Sequence, residues 1–297
     1  MKSALILTLP DWHGAGPDHW LSRWELLHGP QRLEQHDWQR PLRGDWSARL
    51  QETVIDSPRP VVLVGQKVKK GQCLAEAQGM VSAPVHASTS GTVLAISEVT
   101  APHPSGLTMP AIVLEPDGLD EWIALQGCDD PFALSPAEIN KKVAAAGVVG
   151  MGGGTFPSAV KLTGANRAGI HTVIINGGEC EPYLSCDDVL MRTQAAGVVD
   201  GVRLIVHASG ARQALIGIED NKPEAIAAMQ AAAAGFAEVR VCPVPARFPM
   251  GFDKQMVKTL TGIEVPADGR SFDAGVLVNN VGTALAVSQA VPQQQHA

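Results

Sequence analysis

The chain has 297 residues, 45% of them hydrophobic, and its 30 acidic residues against 23 lysines and arginines give a formal charge of -7. An acidic chain without a basic run excludes general nucleic-acid binding, while its apolar share suffices for one large core or two smaller ones. No run of about 18 apolar residues predicts a membrane span, and the opening MKSALILTLPDWHG lacks a secretion signal's length and cleavage site, so a cytoplasmic protein is expected.

Residues 1 to 64 form the first segment, set apart by composition. Trp12, Trp20, Trp24, Trp38 and Trp46 lie here, whereas Trp122 is the sole tryptophan after them. Apolar patterning predicts strands at Ala4–Leu9, Arg32–His36 and Val61–Val64, with helices at Pro17–His28 and Asp45–Ile55 between them. LPDWHGAGPDHWLSRWELLHG, RLEQHDWQRPLRGDWSARL and PVVLVG together resemble the opening of small serine hydrolases related to retinoblastoma-binding protein nine. In that family the third strand runs into a G-x-S-x-G elbow; here the chain continues Gly65-Gln66-Lys67-Val68, without the serine. A working hydrolase is therefore not expected, and His13, His19 and His36 read as ordinary loop residues. A partial α/β-hydrolase-like segment would leave an incomplete sheet, so marginal order and at most a docking or structural role follow.

Residues 65 to 116 change texture. VGQKVKKGQCLAEAQGMVSAPVHASTSGTVLAISE alternates short β-type runs with Gly71, Gly79, Pro84 and Gly91, predicting a small β-rich module. VGQKVKKGQ and APVHASTSGTV are similar to the barrel-sandwich fold of biotinyl and lipoyl carriers. The intervening CLAEAQGMVS has no lysine to carry a swinging arm, so the module reads as structural. Thr108–Glu115 predicts one further strand, and a loop-rich linker follows to Pro131. Ser135-Pro136-Ala137-Glu138 is a capping box with proline at the first helical position, predicting a helix that stops at Gly147.

That helix delivers the chain into the stretch on which the third segment, residues 132 to 291, is organised. Gly150, Gly152, Gly153 and Gly154 crowd five positions ahead of Phe156, Pro157 and Lys161, a bend in which main-chain amides can approach an anionic ligand. The loop satisfies neither G-x-G-x-x-G nor the P-loop pattern. A strand over His171–Asn176 breaks at Gly177-Gly178, placing Glu179 and Glu181 at a carboxyl end where open α/β sheets hold ligands. Helices over Asp187–Val206, Pro223–Ala234 and Lys254–Leu260 then alternate with strands at Ala214–Ile218, Glu238–Val241 and Val276–Asn279. This alternation predicts an α/β, Rossmann-like, largely parallel sheet with helices on both faces. The five cysteines, Cys73, Cys128, Cys180, Cys186 and Cys242, are scattered, suit reduced thiols, and give no metal-ligand spacing; the PQQQHA tail reads as disordered.

GVVGMGGGTFPSAVKL followed by VIINGGECEPYLSCDDVLM resembles the flavin-binding core of the RnfC proteins, which belong to the Rnf complex, the membrane-associated ion-translocating ferredoxin:NAD oxidoreductase. It is similar, more distantly, to the NADH-binding flavoprotein of respiratory complex I. The likeness runs from about Gly65 to Val291. It implies FMN along the glycine loop taking hydride from NADH, with Gly150, Gly152, Gly153 and Gly154 lining the flavin, Lys161 near its phosphate or ring edge, and Phe156 stacking on the nicotinamide. Asn176, Glu179 and Glu181 match an NADES-EP motif in which an aspartate gives way here to Gly178. RFPMGFDKQ implies Gly251 and Asp253 beside the cofactor, and VNNVGT implies Asn279, Asn280 and Thr283 at the ribityl and phosphate region. No catalytic side chain is implied, because hydride transfer is the cofactors' own chemistry. The family's cluster motifs, and with them its 4Fe-4S centres, are not in this sequence, so it reads as a truncated core confined to the NADH-to-flavin half-reaction. The partners implied are the other Rnf proteins on the cytoplasmic face of the inner membrane.

Overall fold

The computed structural model describes residues 5–8, 31–32, 61–79, 81–101, 105–181 and 183–292, with the backbone alone at 5–8, 31–32 and 61–63. The helices expected over 17–28 and 45–55, the histidines at 13, 19, 36 and 103, and the last five residues lie outside that set. The chain divides into two compact units, Met1–Glu76 with Val85–Ile123, and Ala77–Pro84 with Ala124–Ala297.

In the first unit, β1 (Leu5–Thr8) pairs in parallel with β2 (Gln31–Arg32) and β3 (Val61–Leu63), in the order β2-β1-β3. The β-rich module follows. Strands β4 (Lys67–Val68), β7 (Gly91–Thr100) and β8 (Thr108–Pro116) form an antiparallel sheet, and β5 (Cys73–Ala75) pairs with β6 (Val85–His86). Val68, Leu74, Ala87 and Val93 form its core, with Ile96, Ile112 and Leu114 packed against them. Gly91 is glycine for a steric reason: a Cβ there would stand 2.0 Å from the Glu115 carbonyl oxygen across the β7–β8 pair.

The second unit holds the α/β domain. Its strands β9 (Thr172–Gly177), β10 (Gln213–Glu219), β11 (Val239–Val244) and β12 (Val276–Asn280) are all parallel, in the order β11-β10-β9-β12. Helix α1 (Pro136–Ala145) begins with the expected capping box: Ser135 Oγ accepts from the Glu138 amide, and the Ser135 amide donates to the Glu138 carboxylate. Helices α2 (Ser158–Ala168), α3 (Cys186–Thr193), α4 (Ala195–Ser209), α5 (Pro223–Ala233), α6 (Asp253–Thr261) and α7 (Val281–Ala290) complete the unit. The helix expected over Asp187–Val206 is two helices, broken at Gln194, whose φ of -129° and ψ of 26° leave the helical range.

Both faces of the sheet are covered, which is why its two central strands read as apolar runs. Val173, Ile175, Ile216, Ile218 and Leu277 join the larger core with α1, α2, α4, α5 and α7. The alternate residues Ile174, Leu215 and Val276 face Met250, Met256 and Val257 on the α6 side. From β9 the chain steps outward to β10 and β11, then returns to β12 on the other flank of β9. That reversal makes the carboxyl ends of β9 and β12 the topological switch point, the place where such sheets bind ligands.

Candidate functional site

The glycine bend is held beside the end of β12 because its own ends are tied down. Gly150 N–H donates to the Phe156 carbonyl at 2.9 Å and Thr155 N–H to the Gly150 carbonyl at 3.1 Å, while Val149 and Pro157 form a bridge just outside. From the far end of the chain, the Thr283 hydroxyl accepts the Met151 N–H at 2.9 Å. Thr283, buried in the first turn of α7, thus anchors the bend. Residues 151 to 155 themselves are exposed, and a Cβ on Gly153 or Gly154 would meet nothing within 4 Å. Gly153 adopts φ +99°, which only glycine takes without strain, and Thr155 takes φ 41°. Gly152 lies against Asn280, its hypothetical Cβ 3.3 Å from the Asn280 Cβ. The bend is pinned at its base and open on its outer side.

The sequence-predicted residues gather here, several as fasteners between loops. Asn176, near the end of β9, donates through Nδ2 to the Gly251 carbonyl at 2.8 Å and accepts through Oδ1 from the Gly178 amide at 2.9 Å. It ties the β9 turn to the loop before α6. Gly251 packs so close to that turn that a Cβ would sit 3.0 Å from the Gly178 oxygen and 3.1 Å from Cys180 Sγ. Gly178 is similarly tight, a Cβ there meeting Asn176 Oδ1, Met256 Cε and Gly251 Cα at 3.1–3.2 Å, so a side chain in its place requires those neighbours to give by a few tenths of an ångström. Asn280 caps α7 by accepting from the Gly282 amide at 2.7 Å and donates through Nδ2 to Asp187 at 2.6 Å. Asn279 is buried on β12, and Asp253 opens α6, accepting from the Lys254 amide at 2.8 Å.

Glu179 is neither a solvated strand-end carboxylate nor a free ligand. It is buried, accepts the amide N–H groups of Asp187 at 3.0 Å and Asp188 at 3.2 Å, and so caps α3, which Ser185 leaves without a side-chain cap. Burial alone would raise its pKa; the Asp187 amide, the Cys186 thiol, the Asp188 amide and the Lys222 charge outweigh it and hold the carboxyl low. Glu181 is exposed. The Glu179 carboxylate, the Cys186 thiol and the Asp187 carboxylate lie within 4.8 Å of one another, but the Glu179 oxygens already serve amides and an ammonium.

Lys161, half-buried on α2, donates through Nζ to the Val278 carbonyl of β12 at 3.3 Å. Burial pushes its pKa down, and Asp253 partly restores it. Phe156 is half-buried, while Phe248 and Phe252, flanking the Pro249–Gly251 turn, are 78% and 53% exposed. Sequence reasoning missed Asp187, Glu219 and Lys222. The available signals were the acidic pair Asp187-Asp188 in a helix's first turn and Lys222 immediately ahead of the α5 proline.

Two family descriptions match the chain: a Nuo51 FMN-binding domain over residues 143–289, and an RnfC barrel-sandwich hybrid domain over residues 41–119. The RnfC protein of the Pseudomonas aeruginosa ion-translocating oxidoreductase complex is 47% identical over 253 residues, covering 85% of this chain and 33% of the relative. The chain belongs to the RnfC family over that span. The Rhodobacter capsulatus RnfC protein is 46% identical over 244 residues, covering 82% of this chain and 47% of its own length, so the chain spans under half of these relatives. A solved NAD+-reducing nickel-iron hydrogenase in the air-oxidized state aligns with TM-score 0.46 at 25% identity, covering 53% of this chain and 30% of the other. The RnfC match starts at residue 41, inside the hydrolase-like stretch, so the family likeness extends ahead of Gly65. FMN, the cofactor expected from the sequence, is the one in the matched domain's description. Among the described residues, no helix is long and apolar enough to cross a membrane.

Proposed function

We propose that residues 132–291 bind FMN across the carboxyl ends of β9 and β12 and use it to oxidise NADH, as the NADH-side piece of an Rnf-type electron-transfer complex. The observation that carries this reading is the bend itself. Gly153 and Gly154 face open space while the Met151 amide is held by Thr283, so a planar ligand can lie against main chain that is already positioned. Gly150, Gly152, Gly153 and Gly154 then line the flavin, and Lys161 sets a positive charge beside its anionic end, which an acidic chain needs for two phosphorylated ligands.

Asn176, Glu179, Asn280 and Thr283 act one step back, holding the loops that form the walls; Gly251, Asp253 and Asn279 complete the wall under α6 and β12. Glu181 and Phe156 remain at the rim as nicotinamide-side candidates. Bound FMN would supply hydride acceptance, so the protein has to hold two rings face to face and exclude water. The lysine-free β5–β6 segment supports a structural role for the barrel-sandwich module. As partners we propose the other Rnf proteins at the cytoplasmic face of the inner membrane, with 4Fe-4S centres outside these residues taking the electrons onward.

The test is a visible spectrum of the purified chain with added FMN, followed by NADH under anaerobic conditions. Bound flavin absorbing near about 450 nm and bleaching on NADH addition is the expected result. A chain that stays colourless after gel filtration from excess FMN overturns the reading.

A further inference from the structure

At the far side of the β9 turn lie charges the flavin reading does not use. Glu219 ends β10 and Lys222 precedes α5; their side chains are 3% and 11% exposed, and that of Glu179 is 3% exposed. Lys222 Nζ stands 3.0 Å from the Glu219 carboxylate and 3.5 Å from that of Glu179, and donates to the Glu179 main-chain carbonyl at 3.4 Å. One ammonium thus joins the ends of neighbouring strands. Buried ions hold only when paired, so removing one partner is felt by the rest.

These contacts continue to the glycine bend without a gap. Glu179 caps α3 through the Asp187 and Asp188 amides. Asp187, fixed in that first turn, accepts from Asn280 at 2.6 Å, and Asn280 packs on Gly152 and caps α7, where Thr283 holds the Met151 amide. We propose that Lys222 is a positioning residue of the flavin site: by clamping Glu179 to Glu219 it fixes the first turn of α3, and through Asp187 and Asn280 the glycine bend. This rests on the flavin reading for its functional consequence, and on the contacts alone for the clamp.

The groups acting on the clamp are Glu219 from β10, Glu179 from the β9 turn, and the Cys186 thiol and Asp187 carboxylate from α3, with the exposed Glu181 acting on Asp187. Arg192 pairs with Asp188 at 3.1 Å and with Glu224 on α5 at 3.0 Å. Burial, eased by Asn280 and reinforced by Glu179, raises the Asp187 pKa, so the two carboxyls shift in opposite directions.

The experiment uses the full chain with Lys222→Met, Lys222→Arg, and Glu219→Gln as the variant that removes the opposite side of the pair if Lys222→Met does not fold. Amide hydrogen exchange without cofactor reads the clamp. Lys222→Met is expected to speed exchange at Asp187, Asp188 and Met151 at least about tenfold, Glu219→Gln to do so more weakly, and Lys222→Arg to restore protection. FMN titration by fluorescence quenching is expected to weaken at least about tenfold in Lys222→Met. That loss should deepen toward acid pH, because Glu179 without its ammonium takes up a proton sooner. Unchanged protection at Asp187 and Asp188 overturns the clamp, and faster exchange there with unchanged Met151 exchange overturns the link to the bend. A wild-type chain that binds no FMN overturns the flavin reading instead, and the exchange arm still decides the clamp.

Discussion

Replacing Gly154 by alanine adds one methyl group to the open side of the bend. A Cβ there meets nothing within 4 Å and the residue has no positive φ, so the fold is expected to be unaffected or stabilised by about 0.4–1 kcal/mol through a narrower unfolded ensemble. A flavin lying on this main chain would sit at ordinary contact distance, about 3.5–4.0 Å, which is where the methyl goes. Forcing the ligand aside is an overpacking error of about 1–3 kcal/mol, or roughly fivefold to 150-fold in affinity. A urea midpoint and an FMN titration on the same variant read the two effects separately. An unchanged midpoint with wild-type FMN affinity would refute the placement of the cofactor against the bend. Gly153 cannot serve, because its φ of +99° would mix backbone strain into the result.

Gly201→Ala is expected to behave in the opposite way: its Cβ would stand 1.8 Å from the Ala284 carbonyl oxygen, forcing α4 and α7 apart at a cost of about 1–3 kcal/mol or more, seen as a lower urea midpoint at constant slope. Lys161→Met should weaken FMN binding while raising the stability of the cofactor-free chain at neutral pH. The folded lysine pKa is depressed by burial, so its penalty is absent above the ordinary lysine value of about 10.4, grows as pH falls from there toward the folded value, and is full below it. A variant whose advantage does not shrink at alkaline pH contradicts this. Glu179→Gln should be less stable than wild type at neutral pH, with the difference vanishing in acid. Its folded pKa is lowered, so the stabilisation is present above the ordinary glutamate value of about 4.3 and lost as pH falls through the folded value; parallel pH–stability curves would count against it.

Much of the α/β domain was legible because its signals are local. The Ser135 box, the proline at the start of α5 and the apolar runs of β9 and β10 each report their own neighbourhood, and the observed bounds shift from the expected ones by a residue or a few. Helix α2 was not foreseen, because Thr163, Gly164 and Asn166 blur its periodicity and its start carries Pro157 rather than a side-chain cap. Helix α7 escaped for a related reason: it is apolar nearly all round and packs along α4, so no amphipathic stripe marks it. In the site, the resemblance located the loops, but the division of labour within them was not readable. That Asn176 and Thr283 bind main chain, and Asn280 the Asp187 carboxylate, depends on partners 75 to 132 residues away, which no local pattern encodes.

The topology explains why those distant partners meet. The bend precedes α2 while the VNNVGT segment ends β12 and opens α7, and they become neighbours only because the chain, after laying down β10 and β11 on one flank, comes back to pair β12 with the other edge of β9. Each strand then delivers its carboxyl end to the same side: the Asn176 turn from β9, the Glu219 and Lys222 pair from β10, the Gly251 turn after β11, and Asn280 from β12. Polar side chains at these ends are occupied in tying one loop to the next, which on the proposed flavin reading leaves main-chain amides and Lys161 for the ligand. A surface of that kind would select by flatness and negative charge rather than by a set of side-chain hydrogen bonds. It suits chemistry that resides in the ligands, and it makes the rigidity of the ties, more than the identity of any one contact, the quantity on which ring-to-ring geometry depends.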